Sequence, residues 1–330
     1  MIGLTILKTA LLLVIMLTAV SYVAYAERRL LAFIQVRRGP NRVGPAGLLQ
    51  PLADALKFVF KESILPSRAD RLIYLLAPLM AMVPALMTFA VIPVGGLGSQ
   101  PVLITDVNVA LLYVLALGSL GVYGIILGGW ASGSKYSILG ALRSTAQLVS
   151  YELSLGVAVM GVILLSGTLS LVGIVEQQRQ FTWFVFLQPL GFILFFIAAI
   201  AETNRVPFDL PEAETELVAG YHTEYSGMRF AFYYLAEYAN MITASALLTT
   251  LYFGGWLPPP IPWSWLDQIP GLVWFLLKLG LFLFLYIWIR ATLPRLRYDR
   301  LMDLGWKWLL PLGLVNLAVT AVVMAVVGFR

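Results

Sequence analysis

Long runs of apolar residues, separated by short polar and charged stretches, recur along this chain. They lie near 4–26, 72–93, 107–130, 146–167, 184–203, 230–253, 271–292 and 306–328. Each is long enough, as a helix, to cross a hydrocarbon core about 30 Å thick, which takes about 20 residues. The pattern predicts an all-α polytopic membrane protein with eight transmembrane helices, forming a single integral membrane domain over 1–330. The fifth run is the most crowded, with Arg179 and Gln188 near its start.

Two loops break the pattern informatively. The first, 27–71, carries turn signals at Gly39-Pro40-Asn41 and Gly44-Pro45. After them Leu48, Leu52, Leu56, Val59 and Phe60 recur at helical spacing, with Pro51 in the first turn. This predicts a cytoplasmic amphipathic helix, too short and too charged to span, lying at the membrane interface or against a partner. Asp54 and Lys57, three apart, share a face of it. They form either a surface ion pair worth under about 1 kcal/mol or a polar contact for a ligand entering from the membrane plane.

The second loop, 204–229, is acidic. The stretch AETNRVPFDLPEAETE (201–216) holds Glu202, Asp209, Glu212, Glu214 and Glu216, with Glu224 and Glu237 close behind. A carboxylate at the centre of a membrane helix costs about 2.5–3.5 kcal/mol on insertion scales, so such groups face a partner or a wet cavity. The row reads as a path for protons or cations. Glu212, Glu214 and Glu216 alternate, and an extended strand would put them on one face, although alone they also suit a solvated loop. Glu152 lies inside the fourth run beside Tyr151, and Glu237 and Tyr238 repeat the arrangement in the sixth. A buried carboxylate with no cation close by in sequence is expected to exchange protons near neutral pH.

Composition then narrows the chemistry. Apolar residues make up 60% of the chain and charged ones 12%, against about 45–50% and about 25% in ordinary soluble domains. There are no cysteines and one histidine, His222. Thiolate ligation of an iron–sulfur cluster, a two-histidine haem and a His/Cys zinc site are excluded within the chain. No dinucleotide or P-loop fingerprint occurs. No catalytic residue and no metal ligand is assigned, and any electrons come from another subunit.

Charge sets the topology. Basic residues gather between Arg28 and Arg71, at Lys135 and Arg143, at Arg205 and Arg229, and from Arg290 to Lys307. Positive charge marks the cytoplasmic side, so both termini are expected outside. Ala24-Tyr25-Ala26 looks like a cleavage site, but the basic pair Arg28-Arg29 follows the apolar run instead of preceding it, so the run reads as a retained span. Gly124 and Gly128 suit helix packing. The basic clusters serve orientation, anionic headgroups or a docked hydrophilic partner.

The segments AERRLLAFIQVRRGPNRVGPAGLLQPLADALKFVFKE (26–62), 130–152 with its KYSILGALRSTAQLVSYE, the region 201–240 and RATLPRLRYDRLMDLGWKWLLP (290–311) carry a resemblance that covers essentially the whole chain. It resembles the H-subunit family of bacterial NADH:quinone oxidoreductase (respiratory complex I), homologous to the mitochondrially encoded first membrane subunit. The resemblance implies a helical subunit of the cytoplasmic (inner) membrane, under the peripheral arm, forming much of a quinone chamber. Arg28, Asp54, Lys57, Arg290 and Arg295 would lie along or near that chamber, with Tyr234 and Leu235 near its entrance. Glu152, Glu202, Glu212, Glu214, Glu216, Glu224 and Glu237, with Asp209 nearby, would link it to the proton pathway. Quinone would be the substrate, with no cofactor held by this chain and FMN and iron–sulfur clusters in partner subunits. The implied partners are peripheral-arm quinone-site subunits, small membrane subunits, antiporter-like subunits and the lipid bilayer, and no nucleic acid.

Two other readings compete. A hydrogenase membrane subunit of shared ancestry would keep the buried glutamates without quinone, and the closeness of GPNRVGP and AETNRVPFDLPEAE to the respiratory family argues against it. A stand-alone secondary transporter predicts paired broken helices in related halves, and the chain shows no such repeat.

Overall fold

The computed structural model describes residues 2–95, 102–209, 219–261, 263 and 266–327. Among them the architecture is all helical, with one isolated bridge between Val94 and Val102. In order come α1 (Ile2–Ile34), α2 (Gln50–Phe60), α3 (Arg71–Met87), α4 (Ala110–Ala131), α5 (Lys135–Ser166), α6 (Leu171–Gln180), the single turn α7 (Phe184–Leu187) and α8 (Pro189–Glu202). Then follow α9 (Gly227–Tyr252), α10 (Gly271–Thr292), α11 (Tyr298–Asp303), a π-helical stretch Leu304–Leu309 and α12 (Leu310–Val327).

Among the described residues, six stretches are long and apolar enough to cross a membrane: Ile6–Ile34, Arg71–Ala90, Ala110–Ala131, Lys135–Ser166, Gly271–Thr292 and Tyr298–Val326. The expected runs differ from these at two places. Proline removes a backbone donor and clashes with the preceding turn, so the chain breaks at Gln188-Pro189 and α8 keeps only 14 residues. Helix α9 has 26 residues but carries Arg229, Glu237, Asn240 and several Ser and Thr, which lower its apolarity. The first helix runs on past Ala26 to Ile34, since neither Gly nor Pro intervenes before Gly39-Pro40.

Helix ends follow local chemistry. Asp70 caps α3, accepting from the backbone N–H of Leu72 and Ile73 at 3.1 and 3.2 Å. Gly167 ends α5 at φ 65°, a left-handed conformation that favours glycine.

Helix α9 is the centre of the bundle. From Met241 to Tyr252 every residue is buried, and α1, α2, α3, α5, α6, α8 and α10 all pack against it. The hydroxyls of Ser245, Thr249 and Thr250 donate to carbonyls one turn back, so this polar row is satisfied within its own helix. Helix α4 approaches α3 closely at Gly124, where an added Cβ would sit 2.6 Å from the Ala81 nitrogen. Small residues permit this backbone contact. The outer faces of α1 and α12 are apolar and exposed, as at Leu11 and Val322, which suits lipid or a neighbouring protein.

Candidate functional site

Four charged groups from distant parts of the chain converge where α1, α9 and α10 meet. Glu27 on α1 is 2% exposed. It accepts two hydrogen bonds from Arg205 Nη1, at 2.9 and 3.1 Å, and a third from Arg290 Nη1 on α10. Arg205 also reaches Glu237 on α9 through Nε, at 2.7 Å, and its guanidinium sits 4.3 Å over the Tyr238 ring. Burying charge is costly unless it is paired and hydrogen-bonded. Here two carboxylates and an aromatic face surround one fixed guanidinium.

The loop that carries Arg205 is held from both sides. Gln147 of α5, fully buried, donates to the carbonyls of Ala201 and Phe208, both at 2.8 Å. Leu296 N donates to Pro207 O at 3.0 Å, and Tyr151 of α5 donates to Leu301 O at 2.8 Å. Asp209 then meets Arg295 at 3.0 Å.

Burial pushes the Asp209 carboxyl up from 3.8 to about 6, with Arg295 opposing and Glu237 adding to the rise. Arg295 is 40% exposed, too well solvated to reverse it. Because the folded value is raised, the group's contribution to stability is full below about pH 3.8 and is lost as pH rises through about 6. Asp209→Asn, which keeps the neutral form, should flatten the thermal-stability profile of the assembled protein between about pH 4 and about pH 6. An unchanged slope there would contradict this. Burial pushes His222 down to about 4, so it is neutral at working pH.

Towards the loop side, the pairs continue. Arg28 Nη1 bonds Asp54 Oδ2 at 2.7 Å, and Gln50 holds the other Asp54 oxygen at 2.8 Å. Lys57 stands 3.7 Å from Asp54 and is mostly exposed. Arg28 also faces Tyr234, whose hydroxyl donates to Tyr238 at 3.1 Å. The sequence Asp54, Arg28, Tyr234, Tyr238, Arg205, Glu237 is therefore continuous. Leu235 packs against the core beside it.

Glu237 opens onto a cavity of about 60 Å³ lined also by Glu152, Glu202, Asn204, Tyr221, Tyr233 and Asn240. That is room for a few water molecules. Ser119 bonds Glu152, and Asn204 Oδ1 is buried with no protein partner. Carboxylates around a polar cavity of this size can pass protons through water.

The structure thus brings Glu152, Glu202 and Glu237 to one cavity, and Arg28, Asp54, Lys57 and Tyr234 to one edge of the adjoining centre. Glu224 does not line the cavity; its carbonyl accepts from Tyr74 at 2.7 Å. Glu212, Glu214 and Glu216 lie outside the described residues. Glu237, with no cation close by in sequence, is paired across the fold with Arg205, which no local spacing indicates. Glu27 and Arg205 are the central pair that sequence reasoning missed. The signals for them were a lone acid closing an apolar run at Glu27 and an arginine inside the acidic stretch.

The chain matches the family model described as NADH dehydrogenase over residues 7–321. It is 54% identical over 310 residues to the H subunit of NADH-quinone oxidoreductase from Rickettsia conorii, covering 93% of this chain and 90% of the relative. The corresponding protein of Rickettsia felis matches to the same extent. That of Rickettsia prowazekii is 53% identical over 319 residues, 96% of this chain and 93% of the relative.

Proposed function

Because the chain belongs to the NADH dehydrogenase family, together with the H subunits of NADH-quinone oxidoreductase, we propose that it forms much of the quinone chamber of that complex and couples quinone reduction to proton movement. As a member it is a multi-pass membrane subunit of an oxidoreductase, and other complex I subunits are its partners. Quinone is the substrate at its edge, reached from the membrane plane. Flavin and iron–sulfur clusters belong to peripheral-arm subunits, and antiporter-like and small membrane subunits flank it.

In this reading α8, with the turn before it, and α9 complete eight spans. Helix α2 lies at the cytoplasmic interface, and both termini face the outside of the inner membrane. Asp54, Lys57, Arg28, Tyr234, Leu235, Arg290 and Arg295 face the quinone path. Glu237, Glu202 and Glu152 carry protons onward. Asp209, Glu212, Glu214, Glu216 and Glu224 belong to the loop that responds to quinone charge.

One observation carries the reading: the unbroken series from Asp54 through Arg28, Tyr234, Tyr238 and Arg205 to Glu237 and its cavity. A change of charge at the Asp54 end alters the field felt by each next group. Quinone takes up two electrons and two protons on its way to neutral quinol, so between arrival of the electrons and delivery of the protons the head carries negative charge at that end. Asp54→Asn removes the carboxylate that anchors Arg28, and charge-assisted hydrogen bonds are about twice as strong as neutral ones. Quinone reduction should fall about tenfold, the effect of roughly 1.4 kcal/mol, while NADH oxidation by an artificial acceptor in the same membranes is kept. Full quinone reduction in that variant would overturn the assignment of this edge.

A further inference from the structure

Lys278 of α10 lies about 18 Å along the helix from Arg290, at a rise of 1.5 Å per residue. It therefore sits at the opposite end of the bundle from the charged centre. It is 8% exposed. Its Nζ donates to the carbonyls of Phe253, Gly255 and Leu257 at 2.7, 2.9 and 2.6 Å, and it stands 4.4 Å from the centre of the Trp183 ring. Three convergent carbonyls use three N–H donors, which an ammonium has and a neutral amine lacks, so the cradle fits the charged lysine. Gly254 and Gly255, at φ 69° and 54°, make the turn that aims alternate carbonyls inward. Gln178 fixes that turn, donating to Thr250 O at 2.8 Å and accepting from Gly254 N at 2.9 Å.

Between this cradle and Glu202 lies a layer of aromatic and aliphatic side chains, in which the hydroxyls of Thr249 and Thr250 are tied back to their own helix. A second cavity, about 40 Å³, shares Glu202 and Asn240 with the first and ends against Phe195 and Leu247. Beyond it Phe195 packs on Tyr252, with ring centres 5.7 Å apart, Phe192 on Phe253 at 5.4 Å, and Phe253 on Phe282 at 5.1 Å. Leu248, Leu251 and Tyr252 are wholly buried in the same layer. From Leu247 to Phe253 the layer spans about 9 Å of α9.

We propose that this aromatic layer and the Lys278 ammonium behind it form a proton seal, closing the carboxylate cavity against the outer side of the membrane. Tightly packed apolar side chains leave no room for a chain of water, and a fixed positive charge repels an arriving proton, as in pores that exclude cations. Protons that reach Glu202 then do not leave through the outer half of this chain. The proposal rests on the carboxylate path described above and adds its boundary.

The test uses the whole complex in proteoliposomes, with a pH-sensitive dye following decay of an imposed pH difference without NADH. Lys278→Met should speed the decay on the order of tenfold, the effect of a unit charge about 9 Å from the path at an effective dielectric near 20. Lys278→Arg, which keeps the charge, should match the unaltered complex. Leu251→Ser should also leak with Lys278 intact, and it decides the matter if Lys278→Met does not assemble. Adding Glu202→Gln to either leaking variant should restore the slow decay. Unchanged decay in Lys278→Met, or in Leu251→Ser, overturns the seal, as does a leak that survives Glu202→Gln. The readout involves no quinone turnover, so it stands or falls separately from the Asp54→Asn result.

Discussion

Replacing Glu27 by Gln is expected to destabilise the protein by about 3 kcal/mol, at the lower end of the 3–5 kcal/mol found when one partner of a buried ion pair is removed. Glu27 is the carboxylate shared by Arg205 and Arg290. Arg205 would keep Glu237 and the Tyr238 face, which is why the loss stays at the lower end. Arg290, whose side chain is 34% exposed, can turn towards water at little cost. The damage is therefore concentrated on Arg205, whose side chain is only 6% exposed. Thermal unfolding and assembly of the purified complex measure it, and a loss under about 1 kcal/mol, the level of a surface pair, would contradict it. Adding Arg290→Gln to Glu27→Gln should change the stability little further, since Arg290 already reaches water.

The second large effect is on coupling. Glu202 lines both cavities, and Glu152 lines the first beside it. Glu202→Gln keeps shape and hydrogen bonding but cannot take up or release a proton. A positioned proton-transfer group contributes about 10²–10⁴-fold, so proton translocation driven by NADH should fall at least about 10²-fold. Quinone reduction in sealed membranes should fall with it, and the artificial acceptor rate should remain. Glu202→Asp, which retains the titrating group, should keep most of the pumping. Normal proton translocation in Glu202→Gln would show that this carboxylate is a structural charge.

The physical basis for what could be read from the chain is uneven. Helices α1, α3, α4, α5 and α10 and the α11–α12 region follow from run length alone, because a long apolar stretch has few alternatives. The break before Pro189 shortens the fifth run, already crowded by Arg179 and Gln188, and the polar residues of α9 leave the sixth a continuous but less apolar helix. The carboxylates Glu152, Glu202 and Glu237 were legible because charge inside an apolar run is anomalous. Their partners were not. Arg205 meets Glu27 from 178 residues away, and Arg290 from 263. Such pairs are products of tertiary packing, and no local spacing encodes them. Glu27, next to Arg28 and Arg29, looks in sequence like part of a loop's basic cluster, yet the fold turns it inward to 2% exposure.

In the proposed function the Asp54 edge and the Glu237 cavity belong to one path. A double-mutant cycle measures this most directly: quinone-driven proton translocation in Asp54→Asn, Glu237→Gln and the double variant, with assembly verified for each. If the path is continuous, breaking it twice costs little more than breaking it once, and the coupling energy is at least about 1 kcal/mol. Simple additivity of the two losses, within about 0.5 kcal/mol, would mean that the two ends act independently and that no single path joins them.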